Sequence, residues 1–128
     1  MESKKKIVLV VEDEMSLLHV LEDKLQGEGF DVFGAKNGVE GLKEASEIHP
    51  DMILLDILLP EMNGLEFLHK LRETDWGKEV KVIILTNLDT SEAISDAIAS
   101  GGYSYLIKAD WKIEDVVERI KREIVGDL

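Results

Sequence analysis

Acidic side chains stand at two places where the surrounding sequence is apolar. Glu12-Asp13-Glu14 follows the run Ile7–Val11, and Asp56 interrupts the otherwise apolar segment Met52–Leu59. A carboxylate buried in such a setting without a partner costs several kcal/mol. Carboxylates gathered together repel one another and need a counter-charge. Oxygen-only ligands, with no His or Cys among them, suit a hard cation, Mg²⁺ or Mn²⁺. A carboxylate can also be a nucleophile and form an aspartyl phosphate. Phosphoryl transfer asks for a metal, a cationic clamp and in-line geometry more than for acid–base groups. Thr86 offers a hydroxyl for a phosphoryl oxygen and Lys108 a cation.

These residues lie far apart in sequence, so a fold must bring them together. Ile7–Val11 is a β-branched strand run. From Met15 to about Gln26, Leu17, Leu18, Leu21 and Leu25 share one helical face. Phe30–Ala35 reads as a strand, Val39–Ile48 as a helix ended by Pro50, and Met52–Leu55 as a strand ending in Asp56. Leu65, Leu68 and Leu71 mark a third helix, and Val80–Leu85 a strand ending in Thr86. Ser91 is the expected cap of a fourth helix carrying Ala93, Ile94, Ala97 and Ile98, stopped by Gly101-Gly102. Tyr103–Ile107 is a short strand ending in Lys108. Val116, Val117, Ile120 and Ile124 line a last helix, on whose outer face Asp115–Arg119 and Glu118–Arg122 are i,i+4 pairs.

Five strand–helix units predict an α/β fold, a parallel sheet with five helices spread over both faces. The first, third and fourth strands are apolar throughout, as doubly covered strands are. The second and fifth carry Asp31, Gly34 and Ser104, as edge strands do. The doubly wound, flavodoxin-like order 2-1-3-4-5 fits this pattern better than 3-2-1-4-5. Right-handed crossovers put every strand C-terminus on one rim, so Glu12, Asp13 and Asp56 converge there with Thr86 and Lys108.

The whole chain, residues 1–128, is expected to be one domain without repeats or linkers, with no output domain after the last helix. Its 15 basic and 27 acidic residues give a net charge of −12, which argues against a nucleic-acid surface and against anionic lipid. The absence of Cys excludes a disulfide scaffold, a thiolate zinc site and a Cys nucleophile. Apolar runs fall short of the ~20 residues that span a bilayer, and too few follow the basic N-terminus for a signal peptide. A cytoplasmic location is expected. His19, His49 and His69 lie on three different helices without ligand spacing and read as surface residues, and Trp111 as a core-edge residue.

At this point the chain resembles the receiver domains of two-component response regulators, including the stand-alone chemotaxis type. The matching segments are Leu9-Val-Val-Glu-Asp-Glu14, Asp56-Ile-Leu-Leu-Pro-Glu-Met-Asn-Gly64, Ile84-Leu-Thr86 and Gly102-Tyr-Ser-Tyr-Leu-Ile-Lys108. The resemblance implies that Asp56 accepts a phosphoryl group from a sensor histidine kinase or phosphotransfer protein. It implies that Glu12, Asp13 and Asp56 hold Mg²⁺, with the backbone carbonyl of Leu58 completing the site. Lys108 would pair with the phosphoryl group, Thr86 would move toward it, and Tyr105 would follow inward. That pair would couple phosphorylation to the face of the fourth helix, fifth strand and fifth helix, which would meet a downstream target or output domain and could also form a homodimer. Pro60 and Gly64 match the turn into the third helix. The module would catalyse only its own phosphorylation and dephosphorylation.

The family usually has Pro after the Lys, with a cis bond. Here Ala109 follows, and then Asp110, which adds negative charge. A cis bond before a non-proline costs roughly 3–4 kcal/mol, so either the site enforces it or Lys108 is held differently. Leu58 and Leu88 flank the approach of a hydrolytic water and cannot orient it, which predicts slow self-dephosphorylation. Three other classes compete. A degenerate receiver would act as a constitutive interaction module without phosphorylation. A flavodoxin-like FMN carrier needs a Gly- and hydroxyl-rich phosphate loop where Glu12-Asp13-Glu14 would repel phosphate. A metal-dependent phosphohydrolase needs a second acid–base residue that is not evident near Asp56. Glu14 reads as a helix N-terminal acid favoured by the macrodipole.

Overall fold

The computed structural model describes residues 5–125. Five parallel strands alternate with helices: β1 (Ile7–Val11), α1 (Met15–Gly27), β2 (Asp31–Ala35), α2 (Gly38–Ile48), β3 (Met52–Leu55), α3 (Gly64–Arg72), β4 (Lys81–Thr86), α4 (Ser91–Ala99), β5 (Ser104–Ile107) and α5 (Ile113–Val125). The sheet order is β2-β1-β3-β4-β5, as the distribution of apolar and mixed strands predicts. The strand boundaries for β1 and β3 match the sequence reading, and the other elements shift by a few residues at their ends.

Alternation along the central strands divides the core in two. Leu9, Val11, Ile53 and Leu55 point to one face, where Ala45 of α2, Phe67, Leu68 and Leu71 of α3 and Ala97 of α4 cover them. Val8, Val10, Met52 and Leu54 point to the other, under Leu18, Leu21 and Leu25 of α1 and Val116, Val117 and Ile120 of α5. Both faces are sealed, so the strands must be apolar on every residue. Trp111 packs at the edge of the second cluster, as expected.

Helix starts are set by local capping. Asn37 accepts from the Glu40 amide at 2.8 Å, and Asn63 from the Glu66 amide at 3.0 Å. The cap of α4 is Thr90, not Ser91: its hydroxyl accepts from the Ala93 amide at 3.1 Å, and Ser91 is the first helical residue. Either hydroxyl type suits a cap, so composition could not separate neighbours. On α5 the expected pairs are replaced. Arg119 bonds Glu123 at 3.0 Å rather than Asp115, and Lys121 takes Glu28, just after α1, at 2.8 Å and Glu118 at 3.6 Å. Arg119 is turned the other way because it also reaches Ser104 on β5 and lies over the Trp111 ring.

Two glycines fix the loop that follows β3. A Cβ on Gly64 would sit 2.7 Å from the Asp56 carbonyl oxygen and 2.6 Å from the Ile57 Cα, so α3 starts against the Asp56 peptide only because no side chain intervenes. Gly38, the first residue of α2, meets the Met62 carbonyl in the same way. The β3–α3 loop is thereby clamped between two helix starts. Among the described residues no helix is long and apolar enough to cross a membrane.

Candidate functional site

Register places the acidic residues side by side. Val11 pairs with Leu55 across β1 and β3, so the residues that follow them, Glu12 and Asp56, leave the sheet at the same level. Their backbones stay anchored. The Glu12 amide donates to the Ala35 carbonyl at 2.9 Å, and the Asp56 amide to the Val11 carbonyl at 3.1 Å. Glu12 is 2% exposed and Asp56 5%, whereas Asp13 faces solvent. A carboxylate oxygen from each of the three lies within 4.8 Å of the other two.

The counter-charge comes from the opposite edge of the sheet. Lys108, at the end of β5, places its Nζ 2.8 Å from Asp56 Oδ2 and 2.8 Å from Glu12 Oε1, with Glu14 at 3.9 Å. The second oxygens are also used: Asp56 Oδ1 accepts from the Leu58 amide at 3.0 Å, and Glu12 Oε2 from the Glu14 amide at 3.0 Å. Glu14 thus does more than favour a helix dipole. Its amide fixes Glu12, and its carboxylate stands near Lys108. Burial pushes the Glu12 carboxyl above its ordinary value, against the opposing pull of the Lys108 hydrogen bond. Burial works to lower Lys108, but its bonds to Asp56 and Glu12 outweigh it and hold the ammonium above its ordinary value.

Lys108 reaches both carboxylates without a cis bond, for every peptide among the described residues is trans. Lys108, Ala109 and Asp110 instead form one turn of 3₁₀ helix, which aims the ammonium at the pocket. Asp110 is exposed and forms no ion pair with Lys108.

Thr86 ends β4 fully buried, and its hydroxyl accepts from the Leu88 amide at 3.4 Å. Tyr105 is half-buried against the α2–α3–α4 side of the core, and its hydroxyl donates to the Leu88 carbonyl at 2.5 Å. Burial raises the Tyr105 hydroxyl above its ordinary value, and the charges of Asp56 and Asp89 add to that. The backbone of Leu88, through its amide on one side and its carbonyl on the other, therefore joins Thr86 to Tyr105. Sequence reasoning assigned Leu88 only a flanking role, because a backbone link leaves no trace in side-chain type.

Glu12, Asp13 and Asp56 carry three negative charges, and Lys108 neutralises one. The remaining charge and the all-oxygen donor set fit a small divalent cation such as Mg²⁺. His69 bonds Ser100 and His49 stacks on Trp76, so neither histidine belongs to this pocket.

The model of the response regulator receiver domain matches residues 8–121. An uncharacterized transcriptional regulatory protein of Bacillus subtilis, YkoG, is 38% identical over 114 residues, covering 89% of this chain and 49% of that protein. This chain spans about half the length of the curated relatives it matches. A CheY-like receiver domain protein of Methanospirillum hungatei superposes with a TM-score of 0.87 at 28% identity, over 94% of each chain. The receiver domain of the Pseudomonas aeruginosa sensor histidine kinase PA1611, solved with magnesium in its active-site cleft, gives 0.84 at 26% identity, over 96% of this chain and 99% of that one. With the sheet order, the acidic pocket and its lysine all in place, the chain belongs to the response regulator receiver domain family of two-component signalling.

Proposed function

We propose that this chain is a phospho-acceptor switch in which Asp56 takes a phosphoryl group from a phosphohistidine of a sensor kinase or phosphotransfer protein. The observation that carries this reading is the buried Asp56 carboxylate held 2.8 Å from Lys108, within 4.8 Å of the oxygens of Glu12 and Asp13. A solvated structural Asp has no use for such a pocket.

In the transfer, an Asp56 carboxylate oxygen bonds to phosphorus, the P–N bond breaks, and the histidine nitrogen leaves with the electron pair. Glu12, Asp13 and Asp56, with the Leu58 carbonyl, would hold Mg²⁺, whose positive charge offsets that of the phosphoryl oxygens. Lys108 pairs with one phosphoryl oxygen as its bond to Asp56 is given up. Thr86 bonds another and gives up the Leu88 amide, which loosens the residue whose carbonyl Tyr105 holds. The change is delivered to the α4–β5–α5 face, where a target, an output domain or a second copy binds. The whole chain serves as one cytoplasmic receiver unit.

The test is incubation with a small phosphodonor and Mg²⁺, followed by intact mass. A single phosphoryl adduct that is absent in Asp56→Asn and without Mg²⁺ is the expected result. No adduct under saturating donor would make the chain a constitutive interaction module instead.

A further inference from the structure

Away from the acidic pocket, α2 and α3 leave a groove of about 430 Å³ between them. Leu42, Met62 and Trp76 form its floor, continuous with the core beneath, and Val39 on the rim is 50% exposed. Lys43 from α2 and Lys70 from α3 stand on its two walls. Among the described residues neither lysine forms an ion pair, although the chain carries a net charge of −12. Glu47 and Glu66, one turn away on the same helices, do not close a bridge to them.

We infer that this groove docks an acidic amphipathic helix of a protein partner. An apolar floor between two helices accepts the i, i+3, i+4 face of a third. The two free ammonium groups then meet acids flanking that face, and an acidic partner reverses the preference that the rest of this surface would impose.

The probe is a capped synthetic helix with leucines at i, i+3, i+4 and i+7 and glutamates beside them, compared with the same helix carrying lysines. Trp111→Phe leaves Trp76 as the sole indole, so its emission reports the groove. The acidic helix should shift that emission saturably, and the basic helix should bind about tenfold more weakly or worse despite the protein's charge. Lys43→Glu combined with Lys70→Glu should weaken the acidic helix by about tenfold or more with unchanged far-ultraviolet circular dichroism. Val39→Gln, which puts a larger neutral polar side chain on the rim of the apolar floor, should do the same should the double variant fold poorly. Equal or tighter binding of the basic helix, or undiminished binding by both variants, overturns the inference. Self-association of the free protein that the charge reversal abolishes also overturns it, because the groove would then hold a second copy.

Discussion

The phenolic hydroxyl of Tyr105 donates to the backbone carbonyl of Leu88, two residues beyond Thr86. The tyrosine that is expected to turn inward is therefore half-buried and bonded to the segment that follows β4. Tyr105→Phe should cost about 0.5–1.5 kcal/mol in urea unfolding, the ordinary worth of one such bond. It should leave Asp56 phosphorylation intact, since the hydroxyl does not touch the carboxylates. Loss of the phosphoryl adduct in this variant would contradict that division of labour.

Lys108 compensates two buried carboxylates at once. Lys108→Ala leaves both without their cation and should destabilise the fold by about 3–5 kcal/mol at neutral pH. Millimolar Mg²⁺ should restore part of the loss. A change under about 1 kcal/mol by urea titration would mean the pair is solvated rather than buried.

Asp13 is the exposed member of the acidic trio. Asp13→Asn should weaken Mg²⁺ binding by about tenfold or more, since about 1.4 kcal/mol is a modest part of one contact with a divalent ion. Without metal, the same substitution should raise the melting temperature slightly by relieving repulsion. Calorimetric titration and thermal unfolding read the two effects, and a variant that binds as well as the parent removes Asp13 from the site.

Part of the acid sensitivity should trace to α5. The Glu123 carboxyl is held below its ordinary value of 4.5, chiefly by the Tyr103 hydroxyl and further by Arg119, with partial burial opposing. A depressed carboxyl contributes stability that is present above the unfolded value and lost as pH falls through the folded one. Tyr103→Phe should therefore flatten the fall in urea midpoint below about pH 4.5 and leave its pH slope near neutrality unchanged. An acid limb identical to the parent's would exclude Glu123 as its source.

Once formed, the aspartyl phosphate should be long-lived. Leu58, whose amide bonds Asp56, is 54% exposed, Leu88, whose amide bonds Thr86, is half-buried, and neither side chain can orient water. Leu88→Gln should speed hydrolysis, by up to about 100-fold if the amide holds the attacking water. A phosphoryl lifetime of seconds in the parent, without phosphatase, would count against this account.

Apolar runs specify β1 and β3 to the residue because charged residues bound each run, Lys6 and Glu12 for β1 and Asp51 and Asp56 for β3, whereas β4 takes in Lys81 and Thr86 at its ends. The edge strands and helix starts are less sharp, since Thr90 and Ser91 offer the same hydroxyl and only the backbone selects one. The acidic trio is legible because strand ends share a rim. The amides of Leu58 and Glu14, the Leu88 peptide and the clearance at Gly38 and Gly64 are not, since backbone groups are common to every residue type.

The bond from Lys108 to Asp56 spans 52 residues, and every strand of the sheet lies between Glu12 and Lys108 or directly before them. A nascent chain that has emerged only as far as α4 possesses Asp56 but lacks the cation that completes the pocket. On the proposed function, competence to receive a signal arrives together with the last strand, and an unfinished or truncated copy is expected to be deaf rather than wrongly switched on.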